Sequence, residues 1–315
     1  VLRAESAWTS LPISRIEDLS DAVLGAGLDA TQMSRGDLSG SIAFSKREDM
    51  VFTCGLIGGR VALTGPLSGD RITIGIGIEL PPGTRHWLTE VEGGDVGVYL
   101  PGDEHDSIYA PGSLYATVTL SAERLEKEAA QLDLVLDGRT LGGTGVHARK
   151  VTPSLPAVLR RHFCDIHRRS AITADPARIM LEGVLRHLAR PPRSVNGGRQ
   201  PNCHGRIVNC ARAYILAHLS EPMTVDEIAS AAGASRRTLF RAFAEILEET
   251  PRTYVRRLRL HRIRHDLARR AERACTVALI ANEWGMNDLG RMAGRYCDLF
   301  GERPSETLAE ARALH

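Results

Sequence analysis

No two cysteines in this 315-residue chain stand at C-x-x-C spacing: Cys54, Cys164, Cys203, Cys210, Cys275 and Cys297 are scattered. That pattern excludes a disulfide scaffold and a clustered zinc site, and a reducing cytoplasm is the simplest setting. No apolar run approaches the roughly 20 residues of a membrane span, and no basic segment followed by an apolar core opens the chain. The first residue is Val1 rather than methionine. Net charge is low, at +2, so total charge by itself says nothing about nucleic acid. No paired acids, nucleophile with base, or complete metal set stands out, which argues against an enzyme. What remains is a globular composition, 43% hydrophobic and 25% charged, at a length suited to two domains.

The small charge excess is unevenly placed. From residue 203 onward there are 18 arginines and no lysine against 14 acids, a balance of +4, while the preceding residues sum to −2. Within the basic part, Met223 to Ala244 sets the pattern. Thr224 and Glu227 form a capping box, and Val225, Ile228, Ala229 and Ala232 recur at helical spacing. Gly233 ends that helix, because a turn this tight needs positive φ. Ser235 caps a second helix that turns Leu239, Ala242 and Phe243 inward. Arg236, Arg237, Thr238, Phe240 and Arg241 are then left to meet DNA, most directly through the major groove. A helical hairpin with a solvated arginine face is the plain alternative.

Residues 274–296 repeat the layout. Thr276 caps a helix with Val277, Ile280, Ala281 and Trp284 inward, Gly285 turns the chain, and Asn287 or Asp288 caps the next helix. Phe300-Gly301-Glu302-Arg303-Pro304-Ser305 closes this unit as Glu248-Glu249-Thr250-Pro251 closes the first. Two such units joined by an arginine-rich helix, Arg252 to Arg270, resemble the AraC/XylS transcription regulators over about residues 206–313. The resemblance implies seven helices, with both recognition helices entering successive major-groove segments. The connecting helix is roughly 28 Å long at 1.5 Å per residue, approaching the roughly 34 Å between those segments. Its eight arginines suit phosphate contacts. The second recognition helix departs from the family pattern, carrying Gly290 and Gly294 where a helix is weakened by about 1 kcal/mol each. Arg291 and Arg295 remain as phosphate contacts, so sequence reading should rest on the first unit.

Upstream, Ile16 to Leu24 reads as a short amphipathic helix. Between Thr31 and Leu120, strand-like runs alternate with Gly, Pro and Asp: 41–44, 50–56, 60–63, 72–80, 87–91, 97–100 and 114–120. Even spacing predicts a small β-barrel or double-sheet roll. In Ile72 to Ile78 the isoleucines share one face, and the glycines opposite leave room for a backbone or a ligand. Such a barrel resembles the cupin-like sensor half of AraC relatives, and Pro101-Gly102-Asp103-Glu104-His105 looks like a cupin turn. His86, Glu90 and His105 fall short of a cupin metal set, so no metal is expected. Arg85, His86 and Trp87 instead suit a small effector, best an anionic aromatic one. Arg35, Asp37 and Ser39 resemble part of the PilZ signature, which implies cyclic di-GMP as the effector to test, although its final glycine is replaced by Ile42. A solvent-facing sheet surface is the plain alternative for all of these.

After Ser121 a capped helix follows, and residues 153–190 carry two apolar helical stripes, Leu155 to Ile166 and Ile179 to Leu188. In the family such helices mediate dimerisation. Arg190–Asn202 has the composition of a flexible linker. The expected architecture is therefore α+β in two domains: residues 1–190, a cupin-like β-barrel with dimerisation helices; a linker at 191–202; and residues 203–315, an all-α double helix-turn-helix. The expected function is a ligand-responsive, sequence-specific transcription regulator, an activator, acting as a cytoplasmic homodimer on double-stranded DNA with RNA polymerase and no membrane. The competing reading is a cupin-type metal-binding protein or enzyme with an accessory helical domain.

Overall fold

The computed structural model describes residues 8–22, 28–34, 38–136, 141–169, 175–189, 203–270 and 275–314. They form two compact units, parting between the helix that ends at Leu188 and the helix that begins at Cys203. Arg190–Asn202, the expected linker, lies outside the described residues.

The first unit is built on two antiparallel sheets. Its strands are β1 (Thr9–Ile13), β2 (Asp29–Gln32), β3 (Gly40–Arg47), β4 (Met50–Ile57), β5 (Val61–Pro66), β6 (Ile72–Glu79), β7 (Arg85–His86), β8 (Thr89–Glu90), β9 (Val96–Tyr99), β10 (Glu104–Tyr109), β11 (Ser113–Leu120) and β12 (Gly145–Val146). A seven-stranded sheet has the order β1-β3-β4-β11-β6-β9-β12, and a five-stranded sheet the order β2-β5-β10-β7-β8. The expected cupin-like barrel is therefore overturned. Among the described residues no strand pairing joins the two sheets, and each ends in its own edge strands.

The reason lies in β6. Ile74, Ile76 and Ile78 are buried, and Ile74 pairs across to Val118 while Gly75 and Gly77 face the other way. One face of the large sheet is thus as apolar as a core. Helix α1 (Glu17–Ala22) falls where the short amphipathic helix is expected, and the apolar face is covered by helices α2 (Ala122–Ala130), α3 (Ser154–His167) and α4 (Pro176–Leu188). A sheet with two faces to cover stays open between layers rather than curling on itself. The opposite side carries a second, smaller core around Ile42, Ile57, Val61 and Leu63. Glu104 and His105, expected in a cupin turn, instead begin β10.

The helices show why the apolar stripes exist. Ser121 caps α2 by accepting the Arg124 amide at 3.1 Å, and Asp175 caps α4 ahead of Pro176. Leu159, Phe163 and Ile166 on α3 and Met180, Val184, Leu185 and Leu188 on α4 are buried in the same core as the β6 isoleucines. Both stripes are occupied by the chain's own sheet. Only the outward side is left for a partner, with Val158 43% exposed.

The second unit contains seven helices among the described residues: α5 (Cys203–Ala217), α6 (Val225–Ala231), α7 (Arg236–Leu247), α8 (Pro251–Arg269), α9 (Val277–Glu283), α10 (Leu289–Phe300) and α11 (Pro304–Leu314). Among the described residues no helix is long and apolar enough to cross a membrane.

Candidate nucleic-acid interface

The first helix-turn-helix forms as its local chemistry dictates. Thr224 Oγ1 accepts the Glu227 amide at 3.2 Å and the Glu227 carboxylate accepts the Thr224 amide at 2.7 Å, closing the capping box. Gly233 turns the chain at φ 59°, and the Ala234 amide donates back to Ala229 O at 2.9 Å. Ser235 then caps α7 through the Thr238 amide. Leu239, Ala242, Phe243, Ile246 and Leu247 are buried, which fixes the opposite face outward. Arg236, Arg237 and Arg241 are exposed, with Thr238 and Phe240 half-buried beside them. Arg236 lies 3.5 Å from Asp226, both well solvated, a contact worth little. No hydrogen bond or ion pair ties Arg237 or Arg241 down among the described residues. Four residues apart, they present two guanidinium groups from one helix face.

The second unit repeats this closely. Gly285 turns at φ 65°, and the Met286 amide returns to Ala281 O at 2.8 Å. Asp288, rather than Asn287, caps α10 by accepting the Arg291 amide. Met292, Tyr296 and Leu299 are buried and Arg291 and Arg295 exposed. A Cβ added at Gly294 would meet nothing within 4 Å, so this glycine serves no packing role within the chain. Burial, and after it the charge of Arg295, hold the Arg256 guanidinium below its usual range.

Several of the arginines between Arg252 and Arg270 are engaged within the chain. Arg257 is buried against Glu249, and Arg264 donates to Glu302 at 2.7 Å while 5% exposed. Thr307 donates to the same carboxylate and meets Tyr296 Oη. Arg259 donates to Leu219 O, Glu221 O and Gly285 O at 2.9, 2.5 and 3.2 Å. Its guanidinium thereby ties the carbonyls beyond α5 to the turn of the second unit, holding the two recognition helices on one frame. Arg270 pairs with Glu283. Arg257, Arg259, Arg264 and Arg270 are thus engaged in the scaffold rather than left for phosphate, whereas Arg252 and Arg269 are exposed, because a helix threaded between two small cores turns only part of its surface to water.

In the first unit the expected ligand residues scatter. Arg35 and Asp37 lie outside the described residues. Ser39 is exposed, its carbonyl accepting the Gly58 amide at 2.8 Å. Arg85 and His86 are successive residues of β7, so their side chains leave opposite faces. His86 enters the space between the sheets, where Nδ1 lies 3.0 Å from Tyr99 Oη and its ring 5.5 Å from that of His105. Trp87 stacks on Tyr99 with centroids 5.5 Å apart. Burial lowers His86 to about 4 and pushes His105 down as well, so both imidazoles are neutral near pH 7. They line a cavity of about 70 Å³ together with Tyr99, Tyr109 and Tyr115, and Arg85 is not among its walls. Sequence reasoning missed the three tyrosines. The signal was present in Gly97 and Tyr99, whose alternation with Val96 and Val98 repeats that of β6. Glu90 turns away to accept the Gly83 amide, and no three His, Cys, Asp or Glu among the described residues could hold a metal.

Comparison with known proteins bears on the second unit. Residues 228–310 match the family described as a helix-turn-helix domain. The probable thc operon regulatory protein of Rhodococcus erythropolis is 38% identical over 102 residues, 32% of this chain and 31% of that protein. The XylDLEGF operon transcriptional activator of Pseudomonas putida is 31% identical over 99 residues, 31% of each. The chain thus matches about a third of the length of these relatives. A crystal structure of a probable AraC family transcriptional regulator from Rhodopseudomonas palustris is 34% identical, with a TM-score of 0.32, covering 34% of this chain and 97% of that one. Together with the turns at Gly233 and Gly285 and the caps ahead of each second helix, the family match makes residues 228–310 a helix-turn-helix domain in which that unit occurs twice.

Proposed function

We propose that the whole chain is a ligand-responsive, sequence-specific transcription regulator, an activator that places α7 in the major groove of its operator and works with RNA polymerase. The observation that carries this reading is the exposed pair Arg237 and Arg241 on a helix whose other face is fully buried. Arg291 and Arg295 supply phosphate contacts from the second unit. Arg241→Ala is expected to cost about 1–3 kcal/mol on the cognate site, the range for losing one good base contact. Affinity should fall steeply with salt, with a slope of roughly 0.9 per phosphate neutralised. Equilibrium binding of the full chain to operator DNA across a salt series checks both. Undiminished affinity after substituting Arg237, Phe240 and Arg241 together would remove α7 from the interface.

The reading includes a homodimer that presents two DNA-binding domains to repeated half-sites. Leu159 and Leu185 cannot test it, because both are 0% exposed within their own unit and a charge there would unfold the chain. Val158→Asp, on the outward side of α3, is the informative change. Sedimentation should show a folded monomer with weakened operator binding. A dimer that persists moves the interface to a sheet edge.

The first unit is proposed to hold the effector. Cyclic di-GMP would need Ser39 and Arg85 together with Arg35 and Asp37, and calorimetric titration of the full chain and of Arg85→Ala tests it directly. The cavity between the sheets offers different chemistry.

A further inference from the structure

We propose that the cavity between the two sheets is the effector site and that it takes a small uncharged molecule of the amide or azole class, read by His105 Nδ1. This deepens the effector reading above and rests on it. Three observations converge.

The first is an unmet polar atom. His105 is 3% exposed, and its Nδ1 is enclosed without a hydrogen-bond partner. A buried imidazole nitrogen left bare is costly unless something occupies the space beside it. The ring is held edge-on to His86, Trp87 and Tyr99, so it cannot turn freely to find another partner.

The second is the charge of the walls. Among the described residues neither lysine nor arginine lines the cavity, and the one carboxylate among them, Asp95, already accepts the Glu92 amide at 2.8 Å. The two imidazoles are neutral, kept so by burial and, at His105, by the nearness of His86. A carboxylate or phosphate placed there would lose its hydration and meet no cation. An amide or an azole instead carries a donor and an acceptor on one flat group. It can satisfy either tautomer of His105 while its faces rest on the tyrosine and histidine rings.

The third is size. The cavity measures about 70 Å³, against roughly 150 Å³ for an engineered cavity that accommodates benzene. Its room comes from glycines on the inward face. A Cβ at Gly97 would fall 2.8 Å from Tyr99 Oη, whereas one at Gly75 would come no closer than 3.4 Å, to Thr117 Cγ2. A methyl at Gly75 would therefore rest in ordinary van der Waals contact, and since Gly75 lines the cavity, Gly75→Ala narrows it without a clash. A dinucleotide cannot enter it.

The test is calorimetric titration of the full chain at pH 7 with acetamide, pyrazole, acetate and methylammonium, repeated on His105→Phe and Gly75→Ala. Acetamide and acetate differ chiefly in charge. The expected result is saturable binding of acetamide and pyrazole, at least tenfold weaker binding of acetate and methylammonium, and at least tenfold loss in both variants. Unchanged thermal unfolding and operator binding would show that both variants fold. Equal affinity for acetate and acetamide overturns the assigned class. Binding that survives both substitutions overturns the site. Binding of cyclic di-GMP with none of the uncharged probes overturns the proposal while leaving the effector reading intact. If the uncharged probes bind through His105 yet leave operator affinity unchanged at saturation, the site and class stand and the effector reading falls.

Discussion

Acidification from pH 7 to pH 5 is expected to lower the stability of the sheet unit by about 2 kcal/mol through His86 alone. Burial holds this imidazole near 4 in the folded chain, against 6.5 when exposed, although Asp106 nearby pulls the other way. Between those two values the unfolded chain binds the proton and the folded chain does not. Stability is therefore fully present above about pH 6.5 and is lost as pH falls towards 4, reaching about 3 kcal/mol. His167 acts in the same direction and is also held near 4 by burial. It is partly solvated, so about 1 kcal/mol is a fair share. Its ring bridges Ser41 Oγ at 2.6 Å and Cys54 Sγ at 3.3 Å, joining α3 to the large sheet. His105 shifts the same way. Urea unfolding at pH 7, 6 and 5 measures the slope, and this window lies above the ordinary titration of carboxylates. His86→Gln should flatten it. A midpoint independent of pH over that range would mean that these rings are hydrated in solution.

In the DNA-binding unit the largest single effect is expected from Glu249→Ala. Arg257 is 6% exposed and donates to both carboxylate oxygens of Glu249, with its guanidinium 5.3 Å from the Tyr254 ring centroid. Removing the acid takes the counter-charge away from a guanidinium that cannot reach bulk water, which costs about 3–5 kcal/mol. Asp226→Ala breaks the pair with Arg236, whose side chains are 55% and 71% exposed, and should cost under about 1 kcal/mol. The comparison separates a buried pair from a surface one within the same unit. Denaturant unfolding of the two full-length variants checks it. Operator affinity should fall in Glu249→Ala as α8 loosens at its start, where it follows α7 directly. Equal costs for the two substitutions would place Arg257 in solvent and undo its role in the frame.

Much of the second unit was legible because its signals are local. A capping box, a glycine that must turn at positive φ and a Ser or Asp cap act over three or four residues. Thr224, Gly233, Ser235, Thr276 and Gly285 behave as their types require. The same locality hides which arginines of 252–270 are free for phosphate. Eight arginines between Arg252 and Arg270 look alike in sequence, and only the long-range partners Glu249, Glu302, Leu219 O and Gly285 O show that Arg257, Arg264 and Arg259 are engaged within the chain.

The β region marks the boundary between what the chain states locally and what packing decides. Alternation in β6 placed its isoleucines on one face and its glycines on the other, since side-chain direction along a strand has a period of two. Whether such strands close into a barrel depends on what covers the isoleucines, and that is helices contributed by residues more than 40 positions later. The same long-range step took the apolar stripes of α3 and α4 away from a partner and onto the sheet. It also gathered His86, Tyr99, His105, Tyr109 and Tyr115 around one cavity from four strands. Period, caps and turn chemistry were properties of the sequence alone. The open sheets, the neutral cavity and the engaged arginines were decided by tertiary structure, because burial and pairing between distant residues have no signature in local spacing.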